Sequence, residues 1–238
     1  MKLSSGQQQE LNDQSWKWAI GSGREEMGNL EINLQFLDES DLLRAPMKVI
    51  ELGCGTGSLC EALHQKGIAI AGCDVSPVAI DHGREKYPHL HLSVVNAEQL
   101  PWENETFDAV LSFDVLEHLF NPDKHLEEIR RILKPGGYYL FQTPNKLVNA
   151  VYETMKCRSL AWRQYHPSLH FAGPLRKRLS RNGFDVRFVK MNTINAFTLK
   201  KLESYPRLAK LAARLDFRRL PLWIQTNFYV IARKLTPR

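Results

Sequence analysis

The sequence predicts an α/β fold, a mostly parallel sheet with helices on both faces, and three observations carry that prediction. From Met47 onward, short apolar runs alternate with helix-patterned stretches, the signature of βα units around a parallel sheet. A glycine-rich turn, Gly53-Cys54-Gly55-Thr56-Gly57, follows the first of those runs, where a buried strand passes into a helix. The composition is that of an ordinary soluble domain, with 238 residues, 43% hydrophobic and 24% charged. It excludes disordered, collagen-like and disulfide-stapled classes.

In chain order, Trp16 and Trp18 precede Arg24–Met27 and then a helix with Leu30, Leu34 and Leu37 on one face. Residues 1–46 are expected to form a helical cap, with the tryptophans as its aromatic rim. Met47–Leu52 is the first strand, and Leu59, Ala62 and Leu63 mark one face of the helix after it. Ile68–Cys73 is the second strand; Ser76-Pro77 then opens a helix, Ser as N-cap and Pro at the first helical position. Leu92–Val95 is the third strand and Phe107–Phe113 the fourth. Pro122 opens a helix with Leu126, Ile129, Ile132 and Leu133 on one face, closed by Pro135-Gly136-Gly137, and Tyr138–Gln142 is the fifth strand. After Thr143-Pro144 the rhythm breaks for about thirty residues, longer than the roughly 12–15 usual in compact domains. A basic helix near Pro174–Arg181, a sixth strand Asp185–Met191, a second long segment and a last strand Thr226–Ala232 follow.

Charge is unevenly placed. Residues 1–150 hold 13 Lys/Arg against 22 Asp/Glu, whereas residues 151–238 hold 19 against 4, within a formal net charge of +6. Such a basic part suits an anionic partner or a solvated surface. No run approaches the roughly 18 apolar residues of a membrane-spanning helix. Met1–Asp13 is polar and Gln-rich, unlike a secretory signal. Cys54, Cys60, Cys73 and Cys157 form no CxxC pair and read as reduced structural thiols, so a cytoplasmic location is expected.

The glycine turn lies where ligands of open α/β sheets bind, outside the carboxyl end of the first strand. Asp74, ending the second strand, is placed to accept both hydroxyls of a ribose, and Asn96-Ala97-Glu98, ending the third, lies where an adenine edge would come. The turn reads G-x-G-x-G and lacks the third glycine of the dinucleotide fingerprint G-x-G-x-x-G. With Glu51 before it, this pattern resembles motif I of the class I S-adenosylmethionine-dependent methyltransferases. The resemblance continues through Asp74, Ala97–Trp102, Phe107-Asp108-Ala109-Val110, Leu116-Glu117-His118-Leu119 and Leu133-Lys134-Pro135-Gly136-Gly137, spanning about residues 47–142. Within that superfamily the chain is most similar to small-molecule methyltransferases, including the ubiquinone-biosynthesis O-methyltransferase group.

The resemblance implies a Rossmann-like seven-stranded sheet with the last strand antiparallel. It implies one methyltransferase domain over 1–238, with the cofactor-binding core at 47–142 and the acceptor side at 143–238. It also implies S-adenosyl-L-methionine as cofactor and S-adenosyl-L-homocysteine as product. Glu51 and the Gly53, Cys54, Gly55 and Gly57 backbone would hold the methionine part and its ammonium. Asp74 would bind the ribose, Val75 would pack on adenine, and Asn96, Ala97 and Glu98 would meet the adenine edge. Many relatives have Asp where Asn96 stands, and an Asn carbonyl accepts the same hydrogen bond. Phe113 and Asp114 would border the donor methyl.

Methyl transfer needs alignment of nucleophile and methyl, and a hydroxyl acceptor also benefits from a base. His118, just past the fourth strand, is the candidate base, against a purely structural role in its loop. Tyr165, His166 and His170 in the first long segment are candidates for an acceptor-side base or orienting phenol, against simple packing over the core. A His-x-x-x-His pair alone does not make a metal site, and no metal is assigned.

Ser204-Tyr205-Pro206 opens a helix with Leu208, Leu211, Ala212 and Leu215 on one face and Arg207, Lys210 and Arg214 on another. Near Trp223, such a helix either lies on an anionic membrane surface or packs on the sheet with its basic face in water. Arg176, Lys177, Arg178 and Arg181 either meet phosphates or face solvent. The leading expectation is methyl transfer, at oxygen, to a small-molecule acceptor, anionic or lipid-linked. The alternatives are an RNA methyltransferase, although no nucleic-acid-binding motif accompanies the charge, and a non-catalytic partner subunit that keeps the cofactor site.

Overall fold

Val49, Ile50 and Leu52 are all buried, as a central strand covered on both faces requires. They belong to β1 (Lys48–Leu52) of a computed structural model that describes residues 5–23, 30–158, 160, 162–193, 206, 210, 214 and 216–236. Strands β2 (Ala69–Asp74), β3 (His91–Val94), β4 (Phe107–Phe113), β5 (Leu133–Pro144), β6 (Phe184–Val189) and β7 (Asn227–Lys234) complete one sheet in the order β3-β2-β1-β4-β5-β7-β6. β1 to β5 run parallel, and β7 is antiparallel to both β5 and β6, as expected. The order reverses at β1, between β2 and β4, which puts the topological switch point beside the glycine turn.

Helices cover both faces. On one, α2 (Leu30–Ser40), α3 (Ser58–Gln65) and α4 (Pro77–Lys86) bring Phe36, Leu59, Leu63 and Ile80 against Val49, Leu111, Leu140 and Tyr229. On the other, α5 (Pro122–Ile132) and α8 (Ala172–Arg181) bring Leu126, Ile129, Ile132, Leu175 and Leu179 against Ile50, Val110 and Phe141. Each large side chain so buried contributes roughly 1.5–3 kcal/mol. The predicted Ser76 cap forms, its Oγ accepting from Ala79 N; Asn121, which the sequence reading did not name, caps α5, its Oδ1 accepting from Lys124 N, and Pro follows each cap.

Four elements differ from the sequence reading. The segment after Pro144 contains α6 (Lys146–Cys157) and a four-residue α7 (Trp162–Tyr165). Asn145 caps α6, accepting from Leu147 N while its Nδ2 donates to the Trp223 and Gln225 carbonyls. β5 begins at Leu133, which pairs with Phe107 across a register shift, so the strand runs through the glycines. β7 runs on to Lys234, whose buried Nζ donates to the Leu133 carbonyl; a basic pair at that point reads as a strand exit in sequence. The N-terminal α1 (Ser5–Gly21) packs against α4. The expectations for Arg24–Met27, for the side chains of Cys157 and Tyr165, and for most of the helix proposed over Ser204–Leu215 lie outside the described residues. Cys54, Cys60 and Cys73 are free and buried.

Candidate active site

The site is built at the carboxyl ends of β1, β2, β4 and β5. Gly53 and Cys54 donate their backbone N–H groups to the Cys73 carbonyl at 2.7 and 2.9 Å, folding the chain back over the end of β2. Gly53 and Gly55 adopt φ of 73° and 54°. A Cβ at Gly53 would come within 2.3 Å of Val115 Cγ2, and one at Gly55 within 2.4 Å of the Trp16 ring. Both positions therefore need glycine for backbone shape and for space.

Two buried carboxyls flank this turn. Asp74 accepts from Gly55 N at 3.0 Å and from Ser76 N at 2.9 Å. Burial raises its pKa against those hydrogen bonds. Glu51 accepts from Cys60 Sγ at 3.1 Å, and burial, with the Asp74 charge adding to it, pushes its pKa up to about 8. Above the turn lies α1: Trp16 covers Gly55, and Ser76 Oγ donates to Asp13. Trp18 points elsewhere and is 59% exposed, because residues two apart on a helix face different ways. The expected tryptophan pair thus splits, one over the turn and one in solvent.

The β3 end is more occupied than its sequence suggests. Val75 is half-buried and Asn96 exposed, and Asn96 Oδ1 accepts from Glu98 N at 2.8 Å. The Ala97 carbonyl bonds His125 Nδ1 at 2.7 Å. Glu98 Oε1 accepts from Phe120 N and Asn121 N, so its carboxylate ties the loop before α5.

At the ends of β4 and β5, Phe113 meets Phe36 edge-on, with centroids 6.3 Å apart. Asp114 has φ of 55°, an unusual conformation for a residue with a side chain, and its N–H donates to Gln142 Oε1 at 3.0 Å. A 3-10 turn over Leu116–His118 follows. Glu117 is buried and accepts from Thr143 Oγ1 at 3.0 Å; burial and then Asp114 hold its pKa well above the carboxylate range. His118 is half-buried, its Nε2 is 4.0 Å from Glu117 Oε1, and its ring lies 4.9 Å from that of His166. Ser168 N donates to the Glu117 carbonyl, which holds the His166 segment beside the turn.

The three-residue cluster expected around residue 166 divides. His166 joins His118. His170 is buried in a bridge to Asn145, and burial, then the nearby Arg178, lowers its pKa to about 4. Sequence reading named Glu117 only within its motif, without this buried role, and passed over Gln142, Tyr229 and Asn33. The only available signal was an acidic residue directly before His118, after a strand. Among the described residues, no three His, Cys, Asp or Glu side chains gather as a metal site.

Residues 50–141, less than half of the chain, match the family described as "Methyltransferase domain". The chain is 32% identical over 99 residues to a probable S-adenosylmethionine-dependent methyltransferase of Mycolicibacterium smegmatis, covering 42% of this chain and 38% of that one. It is 33% identical over 119 residues to the ubiquinone biosynthesis O-methyltransferase of Agrobacterium fabrum, covering 48% and 45%. The chain thus spans less than half the length of these curated relatives. Solved structures extend the likeness of fold beyond the matched residues. A putative methyltransferase in complex with the Trm112 activator of Haloferax volcanii superposes with a TM-score of 0.68 at 20% identity, over 93% of this chain and 98% of that one. The [4+2]-cyclase SpnF superposes with a TM-score of 0.62 at 21% identity, over 87% and 81%. A cyclase on this fold means that fold alone does not name the reaction.

Proposed function

We propose that this chain is an S-adenosylmethionine-dependent methyltransferase that acts at oxygen on a small-molecule acceptor. The carrying observation is the glycine turn, left-handed at Gly53 and Gly55, with the Asp74 carboxyl bonded to its backbone. The residues fit the cofactor: side chains at those glycines would fill the cradle, and two buried carboxyls beside it suit a ligand with a cationic ammonium and ribose hydroxyls. When bound, S-adenosylmethionine supplies a methyl group on a sulfonium, a good leaving group. Glu51 and the turn from Gly53 through Cys54 and Gly55 to Gly57 hold the methionine part, and Asp74 the ribose. Val75, Asn96 and Ala97 face adenine, with Glu98 fixing their loop.

Phe113 and Asp114 border the reacting centre. His118 takes the acceptor hydroxyl's proton on its imidazole, and Glu117 and His166 orient that ring. The ubiquinone-biosynthesis relative supports oxygen as the methylated atom. Tyr165 and His170 belong to the segment that closes the acceptor side.

The acceptor is read as anionic or lipid-linked, with the chain touching an anionic membrane surface. The support is α6, where Leu147, Val151 and Met155, spaced four apart, are 42%, 55% and 74% exposed. Leu160 and Trp223 are exposed as well, and Lys146, Arg158 and Arg163 accompany the face.

Calorimetry with S-adenosylhomocysteine tests the reading. The chain is expected to bind it, and Asp74→Ala to weaken binding roughly 10–100-fold, the loss of about 1.5–3 kcal/mol for hydrogen bonds to a charged group. Absence of binding by the unaltered chain ends the reading; unchanged affinity in Asp74→Ala removes the ribose role.

A further inference from the structure

Gln142, at the carboxyl end of β5, is 1% exposed, and its Nε2 has no hydrogen-bond partner. A buried amide NH2 left unpaired costs about 1–3 kcal/mol, so such a group calls for a reason. The other end of the same amide is occupied: Oε1 accepts the Asp114 N–H at 3.0 Å. That bond fixes which way the amide faces, because the opposite orientation would set N–H against N–H. The orphan donor is therefore held beside Asp114, in the strained backbone at the end of β4.

Further buried polar groups neighbour this amide. Across the β5–β7 ladder, Gln142 is paired with Tyr229. The buried Tyr229 hydroxyl donates to Asn33 Oδ1 of α2 at 3.1 Å, and its pKa is raised by burial and by the charge of Asp114. Phe36 and Phe113 lie against this group, with Phe36 also 5.1 Å from the Tyr229 ring. A hydroxyl oxygen is both acceptor and donor. It fits between an amide N–H and a carboxylate, accepting from Gln142 and donating to Asp114. An amine protonated at neutral pH has no lone pair to offer Gln142, and a methyl or aromatic carbon would leave the amide unpaired.

We propose that Gln142 binds the acceptor of the methyl-transfer reaction, its Nε2 donating to a hydroxyl of the acceptor other than the one that His118 deprotonates, whose own hydrogen faces Asp114. The proposal rests on the methyltransferase reading above and adds to it the residue that selects a hydroxyl-bearing acceptor.

Two variants separate this role from a structural one. Gln142→Met removes both ends of the amide, while Gln142→Glu keeps an oxygen for the Asp114 N–H and removes the amide donor. The probe is a metabolite and lipid extract of cells, incubated with radiolabelled S-adenosylmethionine. The rate of label transfer is read against extract concentration, and S-adenosylhomocysteine affinity is measured in parallel. Both variants are expected to lose about tenfold or more in transfer efficiency, with S-adenosylhomocysteine affinity within about twofold of the unaltered chain. Transfer at the unaltered rate by Gln142→Glu, or by both variants, overturns the proposal. So does parallel loss of S-adenosylhomocysteine affinity. No transfer by the unaltered chain is a different failure, because it ends the methyltransferase reading itself.

Discussion

With its pKa pushed up to about 8 by burial, Glu51 holds a proton at neutral pH until a cation meets it. The ammonium of S-adenosylmethionine favours the carboxylate, so binding near pH 7 should expel that proton. The expected outcome is a calorimetric enthalpy that varies with the ionisation enthalpy of the buffer, by close to one proton per binding event. Glu51→Gln should flatten that dependence. The sign for stability is the reverse of an ordinary ion-paired carboxylate. The contribution from protonated Glu51 is complete below about pH 4.5, the unfolded value, and is lost as pH rises through about 8. Asp74 was a candidate from the sequence because an acid at a strand end beside a glycine turn is a local pattern, and Glu51 was one through the resemblance of its motif. Gln142 and Tyr229 were not. Gln142 meets Asp114 across the parallel β4–β5 ladder, and Tyr229 joins them because β7 returns antiparallel beside β5, pairings that join residues far apart in the chain.

At the scale of elements, the helices that announce themselves are those that bury an apolar face behind a cap. α4 and α5 have Ser76-Pro77 and Asn121-Pro122 at their starts, and both were placed from sequence. α6 follows Thr143-Pro144, which reads as a break, and directs Leu147, Val151 and Met155 outward instead of into the core. That face carries the membrane proposal. The chain should float with phosphatidylglycerol-containing vesicles and not with phosphatidylcholine alone, more weakly as salt screens the basic residues. Val151→Asp combined with Met155→Asp should abolish flotation while leaving S-adenosylhomocysteine affinity unchanged. An unaltered chain that stays in solution with anionic vesicles would contradict the role of α6.

Across the whole molecule, the sheet divides the work that its charge only hints at. The acidic first 150 residues contain the glycine turn, Glu51, Asp74 and the first turn of α6, while the basic remainder supplies the rest of α6, the His166 segment and Tyr229. Much of that basic charge is engaged within the fold. Arg176 donates to the Val186 carbonyl and lies over Phe188, Arg178 pairs with Asp123, Arg218 with Asp216, and Lys234 is buried on the Leu133 carbonyl. The charge excess is thus in part a consequence of capping carbonyls and pairing carboxylates, which weakens it as an argument for RNA. The central claim is methyl transfer to oxygen. Its most direct test is incubation of the chain with radiolabelled S-adenosylmethionine and a cell extract, followed by partition into lipid, RNA and water-soluble fractions and cleavage with hydriodic acid. Label is expected in the small-molecule or lipid fraction, released as volatile methyl iodide from an ether. Label confined to RNA, label that resists ether cleavage, or no transfer at all would contradict that claim.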